Sequence, residues 1–162
     1  MSLLRKTIRR MILENKINPN KVMLQSMMSS DSFRTLQYTE PTMSVGFSEA
    51  IFEWGDDPCL YEMSLQCHYD DIIFIVEIQA THDMGDEYND MCEGQGYASD
   101  MMRDLMEFAD KHDVQLSLVA DAFNQLDDDD RRPDTAALTN WYKRLGFEDS
   151  PQSNGCLLYT SP

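Results

Sequence analysis

The stretch that most restricts how this chain can fold runs from an apolar strand, through a glycine pair, into an amphipathic helix. Ile72-Ile73-Phe74-Ile75-Val76 is a continuous apolar run at the head of Ile72–Thr81, and its β-branched content suits a central strand. A polar loop, His82–Cys92, leads to Glu93-Gly94-Gln95-Gly96-Tyr97-Ala98. From Tyr97 to His112 the residues Ala98, Met101, Met102, Leu105, Phe108 and Ala109 recur at helical spacing and predict one buried face. Asp100, Arg103, Asp104, Glu107 and Lys111 fill the other face, with Arg103/Glu107 and Glu107/Lys111 four residues apart. Val114–Ala120 then alternates as a further strand. A strand–helix–strand crossover is right-handed and joins parallel neighbours, so the sheet must contain a parallel pair.

Two spaced glycines at a helix start can bind a phosphate. They let the backbone approach, and the first-turn N–H groups and the helix dipole favour an anion. The alternative is a tight connection that binds nothing, and the glycines alone do not choose between the two.

The rest of the chain reads as follows. Leu3–Lys16 predicts a helix with Leu4, Ile8, Met11 and Ile12 on one face and a basic face opposite, ended by Asn18-Pro19-Asn20. Lys21–Met28 is a second short helix. Thr42–Trp54 is expected as a strand, Gly55-Asp56-Asp57-Pro58 as a turn and Cys59–His68 as the next strand. With Ile72–Thr81 these form an antiparallel meander. Thr135–Leu145 is a helix closed by Gly146, and Leu157–Thr160 a last strand. At 162 residues one domain (1–162) is expected, divided into N-terminal helices and first strands (1–71), a strand–loop–helix–strand unit (72–120) and a C-terminal helix with strands (121–162). The fold class is α+β.

No segment approaches the roughly 20 apolar residues of a membrane span, and no secretory signal is expected. Cys59, Cys67, Cys92 and Cys156 contain no C-x-x-C pair, which predicts free thiols in a cytoplasmic protein. No metal site is expected, since His68, His82 and His112 are not at ligand spacing with those cysteines. Asp127-Asp128-Asp129-Asp130 lacks the alternation of a calcium loop. Charge is uneven. Residues 1–21 hold six Lys/Arg against Glu14, and the formal net charge of the whole chain is −16. An acidic body repels nucleic-acid backbones and attracts cationic small molecules or peptides. Solubility alone is the plain alternative, and imitation of DNA to capture a nucleic-acid-binding protein a third.

Gly94-Gln95-Gly96-Tyr97-Ala98 with its helix, the strand Gln115-Leu116-Ser117-Leu118, and Trp141-Tyr142-Lys143-Arg144-Leu145-Gly146-Phe147 together resemble the GCN5-related N-acetyltransferases. Residues 72–159 carry the resemblance; residues 1–71 match in element order only. It implies an acyl-CoA N-acyltransferase fold: a mostly antiparallel central sheet with splayed parallel strands, flanked by helices. It also implies acetyl-CoA as co-substrate, with the pantetheine arm along the backbone of Ile78, Gln79 and Ala80. The pyrophosphate would lie on the amides of Gly94, Gln95, Gly96, Tyr97 and Ala98. Tyr142 is implied as the proton donor to the departing thiolate.

An acceptor amine must also lose a proton before it attacks. Glu77 is the candidate base, expected to share a face with Gln79 and to be buried among Ile75, Val76 and Ile78, which would raise its pKa. His82 and Asp83 are reserves. The chain departs from the family pattern in Glu93, where the family has Arg or Gln, in Thr135, where an asparagine is common, and in its long acidic loop. Two functions fit: an N-acetyltransferase for a small-molecule or peptide amine, or a catalytically degenerate acidic binding protein on the same fold. Neither uses nucleic acid or membrane directly, and a homodimer is compatible with both.

Overall fold

Asn18-Pro19 opens the first described helix rather than only ending one. In α1 (Pro19–Met28) the Asn18 side chain accepts hydrogen bonds from the Asn20 and Lys21 amides at 3.0 and 3.4 Å. Pro19 occupies the first turn, where its missing N–H costs nothing. The structure is a computed structural model that describes residues 18–69, 72–80, 92, 95–120, 135–151 and 155–162. The expected helix Leu3–Lys16, most of the loop 82–93, and the acidic run 127–130 lie outside those residues.

The remaining elements are β1 (Phe33–Thr39), β2 (Ser48–Asp56), β3 (Cys59–Tyr69), β4 (Ile72–Ala80), α2 (Tyr97–His112), β5 (Gln115–Val119), α3 (Thr135–Leu145), β6 (Glu148–Asp149) and β7 (Cys156–Tyr159). The strands form one seven-stranded mixed sheet in the order β1-β2-β3-β4-β5-β7-β6. Strands β1 to β4 pair antiparallel, β4 and β5 pair parallel, and β7 runs antiparallel to both β5 and β6. The protein is therefore α+β, with the expected meander and the parallel pair across α2.

Helices α1 and α2 cover one sheet face. Met23, Leu24 and Met27 from α1 and Met101, Met102 and Leu105 from α2 are buried with Phe33, Phe52, Met63, Leu65 and Ile73 from the strands. Phe33 meets Phe52 and Phe108 edge-on, at 5.9 and 6.0 Å between ring centroids. Fully burying side chains of this size contributes roughly 1.5–3 kcal/mol each. At its C-terminus α2 ends in a left-handed residue, Asp113 (φ 54°), and the Val114 amide reaches back to the Ala109 carbonyl at 2.9 Å.

Three sequence expectations are corrected. Strand β1 was not expected, and β6 has only two residues. The strand expected from Thr42 begins at Ser48, because Thr42–Val45 closes on itself: the Thr42 amide donates to the Val45 carbonyl at 2.7 Å. Finally, the cysteines are not all free. Cys59 and Cys92 form a disulfide across 33 positions, with Cα atoms 5.3 Å apart. In the chain-entropy description a crosslink of that span stabilises by about 4 kcal/mol. Cys67 and Cys156 are not part of this disulfide, and burial pushes the Cys67 thiol up to about 12. Among the described residues no helix is long and apolar enough to cross a membrane.

Candidate functional site

Strand β4 is bonded differently along its two edges. On one side it pairs with β3 along its length, from Tyr69↔Ile72 to Tyr61↔Ala80. On the other it pairs with β5 only at Ile72↔Gln115, Ile73↔Leu116 and Phe74↔Ser117. Beyond Phe74 the two parallel strands part, and the β5-facing edge of Ile75–Ala80 has no strand partner among the described residues. Unpaired backbone N–H and C=O groups need a partner in water or in a ligand. Val76 and Val119 stand on either side of the divergence, 44% and 62% exposed. Register parity puts both on the face of Phe74 and Ser117, so the gap has an apolar rim.

A β-bulge sits at the same place. The register with β3 shifts between Leu65↔Ile75 and Ser64↔Glu77, leaving Val76 as the extra residue. Strict alternation would have put Glu77 on the inner face with Ile73 and Ile75. The bulge advances the phase by one residue, so Ile78 turns inward and Glu77 outward. Glu77 is exposed, and the burial expected of it is absent. It does share a face with Gln79, as expected. The Gln79 side-chain amide faces the Glu62 carboxylate at 3.5 Å.

Gly96 is the N-cap of α2 and adopts φ 80°, ψ 9°, the left-handed region that glycine reaches without strain. Among the described residues no side chain caps the helix, and a Cβ built on Gly96 meets no atom within 4 Å. The first bond inside the helix is from the Asp100 amide to the Gly96 carbonyl at 3.0 Å. Uncapped amides beside open space are what an anion needs at a helix start. Gln95 and Tyr97 are exposed and Ala98 is half-buried; Gly94 and Glu93 lie outside the described residues, as do His82 and Asp83.

The second sequence motif reaches this turn through one hydrogen bond. Trp141 Nε1 donates to Ser99 Oγ at 2.9 Å, joining α3 to the first turn of α2 across 42 positions. Beside Trp141, Tyr142 is buried and packs at a tilt on Trp141 and edge-on against Phe147, at 4.7 and 5.7 Å between centroids. Phe147 in turn packs on Tyr159 of β7 at 5.6 Å, and Tyr159 is the register partner of Leu116 on β5. Burial pushes the Tyr142 phenol up to about 12, so it keeps its proton through the neutral range. The cost is that it is a weaker acid than an ordinary tyrosine.

The surroundings of α2 are acidic. A cavity of about 420 Å³ lies under the β2–β3 turn, where Asp31, Asp56, Asp57 and Asp104 share the lining with Trp54 and Tyr97. Trp54 Nε1 donates to Asp104 Oδ2 at 2.7 Å, which sets the indole against α2. Tyr97 lines this cavity together with the turn that leads into Cys59, and Tyr61 pairs with Ala80. The start of α2 and the open end of β4 therefore share one end of the sheet. Among the described residues no group of three or more His, Cys, Asp or Glu is arranged to hold a metal ion.

The structure thus brings Ile78, Gln79 and Ala80 and Gly96 with Tyr97 and Ala98 toward one end of one sheet; Tyr142 is joined to the start of α2 only through its neighbour Trp141, and its own ring packs toward Phe147. It moves Glu77 out to solvent. The sequence did not single out Ser99, Val76 or Val119; the helical phase of Ser99 and Trp141 gave no sign that they meet. Compared with protein-family models, curated proteins and solved structures, the chain matches none of them.

Proposed function

We propose that this chain is an acetyl-CoA-dependent N-acetyltransferase with a fold of the GCN5-related type, acting on a primary amine carried by a cationic acceptor. The observation that carries the reading is the parallel β4/β5 pair that parts after Phe74↔Ser117. A chain with two amide groups, such as pantetheine, can complete the unpaired edge of Ile78–Ala80 as a strand would. The uncapped amides after Gly96 suit its pyrophosphate. The exposed valines Val76 and Val119 offer apolar cover to the methylene arm.

In this reading the acceptor amine attacks the acetyl carbonyl directly, and sulfur leaves as the thiolate. Tyr142 hydrogen-bonds the developing thiolate and is the group positioned to hand it a proton. At about 12 its main contribution is donation of the hydrogen bond, with full proton transfer following as the sulfur charge grows. Glu77, being exposed, accepts the amine proton through water rather than as a desolvated base. The carboxylates of the cavity and the net charge of −16 draw in a cation.

The test is release of CoA thiol from acetyl-CoA with a panel of primary amines: a polyamine, an amino sugar and a lysine peptide. One class is expected to turn over. Tyr142→Phe is expected to lower kcat by about 100-fold or more with little change in KM for acetyl-CoA. Unchanged kcat removes Tyr142 from the mechanism, and no transfer to any amine removes the enzyme reading. One observation favours a second reading: the carboxylates around Tyr97 oppose an anionic ligand. A degenerate member would use that acidic surface to occupy a basic, nucleic-acid-binding partner, and it would not bind acetyl-CoA.

A further inference from the structure

The disulfide stands at a point of leverage. Cys59 begins β3 on a hairpin whose backbone is rigid: Gly55 holds φ 101°, and a Cβ there would lie 2.5 Å from the Cys59 carbonyl oxygen. Cys92 is 1% exposed and lies four residues before Gly96. Only residues 93–95 separate the crosslink from the cap of α2. The crosslink therefore ties the turn at Gly96 to the fixed end of the antiparallel sheet. Such pre-ordering lowers the entropy lost when a ligand is held.

The two cysteines differ in exposure. Cys59 is half-buried and lines the cavity of about 420 Å³, whereas Cys92 is closed off. An incoming thiolate can reach the Cys59 side and expel Cys92 as the leaving group. The way in is lined by Asp31, Asp56, Asp57 and Asp104, with no Lys or Arg among the described lining residues. Carboxylates in a confined space repel an anionic reagent and tolerate a neutral or zwitterionic one.

We infer that Cys59–Cys92 is a redox modification site, reduced through the acidic cavity by neutral or cationic thiols in preference to anionic ones, and that its reduction loosens the turn at Gly96. The chemistry is a two-electron exchange. The thiolate of the reductant attacks Cys59 Sγ, the Cys59–Cys92 bond breaks, and Cys92 leaves as a thiolate that takes a proton from water. A second reductant thiolate then attacks the mixed disulfide. Cys59 is released as a thiolate and protonated, and the reductant is oxidised to its own disulfide. The consequence for acetyl-CoA rests on the acetyltransferase reading; the thiol chemistry does not.

The experiment uses the full chain purified without reductant. Alkylation under denaturing conditions is expected to label two thiols, Cys67 and Cys156, and four after complete reduction. Four labelled thiols before reduction would overturn the proposal. Native protein is then reduced with cysteamine, 2-mercaptoethanol and mercaptoethanesulfonate, each rate corrected for thiolate fraction. Cysteamine should exceed mercaptoethanesulfonate by about tenfold at low salt. The order should flatten at about 0.5 M salt and in Asp56→Asn/Asp57→Asn. Equal rates at low salt would exclude the cavity as the route.

Hydrogen exchange then reads the turn itself. On reduction, the amides of the first full turn of α2, beginning at Asp100, should exchange about tenfold faster, and Cys92→Ser should reproduce this. No change would overturn the loosening. If Cys92→Ser fails to fold, chemical reduction of the natural chain carries the same readout. Acetyl-CoA affinity should fall about tenfold on reduction. If neither redox form binds acetyl-CoA, the acetyltransferase reading fails, while the thiol count, the rate order and the exchange data still decide this proposal.

Discussion

The two edges of β4 show how one strand can serve stability on one side and leave room for a ligand on the other. Along its β3 edge the strand is paired to its last residue, with two register shifts, and its inner side chains Ile73 and Ile75 are buried. Along its β5 edge it is paired for three residues and then open. The difference comes from how the neighbours are connected. A hairpin brings β3 back in register with β4, so pairing continues along the strand. A crossover helix delivers β5, and that helix starts at the same end where the strands part. Tertiary support also differs. Both sides share one buried core, but the start of α2 at the open end is tied further by the Cys59–Cys92 bond, the Trp54–Asp104 hydrogen bond and the Trp141–Ser99 hydrogen bond.

That contrast predicts which changes cost stability and which cost binding. The largest stability effect belongs to the closed side. Phe52→Ala empties a fully buried site against Phe33 and should cost roughly 3–5 kcal/mol, seen as a lowered denaturant midpoint. Ligand binding by the fraction still folded should persist. A loss under 1 kcal/mol would mean that this half of the core is not the main support.

Next comes Gly96→Val. A β-branched residue at φ 80° strains the backbone by about 1–2 kcal/mol, and its side chain fills the open space beside the amides. Acetyl-CoA affinity should fall at least about tenfold, more than the stability loss explains. Trp141→Phe should be milder, removing a hydrogen bond worth about 1 kcal/mol. It should lower turnover through the placement of Tyr142 more than it lowers the unfolding free energy.

The smallest expected effect is a pH slope. His112 Nε2 is buried and has no hydrogen-bond partner among the described residues. Burial, and then the Lys111 charge, hold its pKa below 6.5. The unfolded chain takes up a proton near 6.5 and the folded chain only at lower pH, so this contribution is full above 6.5 and is lost as pH falls through the folded pKa. The difference in thermal midpoint between the natural chain and His112→Gln should therefore change below pH 6.5 and be flat above it. A flat difference throughout would contradict the assignment.

How much of this was legible depends on how local the cause is. Helices α2 and α3 begin and end where the periodicity, Gly96 and Gly146 place them, because a helix is written in residues three and four apart. The parallel partner of β4 followed from the crossover rule alone. Strand β1 escaped notice because, as an edge strand with a register shift between Thr35 and Gln37, it buries only Phe33 fully and shows no clean alternation. Glu77 was misplaced because one extra residue, Val76, reverses the facing of everything after it, and no residue in that apolar run announces a bulge. The Cys59–Cys92 bond joins the start of β3 to a residue shortly before α2 across 33 positions, decided by the assembled sheet and carried by no spacing motif. The tie from Trp141 to Ser99 is of the same kind.

The central claim is that the open edge of β4 and the turn at Gly96 form one ligand site, and calorimetric titration with acetyl-CoA in moderate salt tests it most directly. One-to-one binding in the micromolar range, lost in Gly96→Val and retained in Phe52→Ala below its unfolding midpoint, is the result this account predicts. No heat of binding at millimolar acetyl-CoA, or binding indifferent to Gly96→Val, would contradict it.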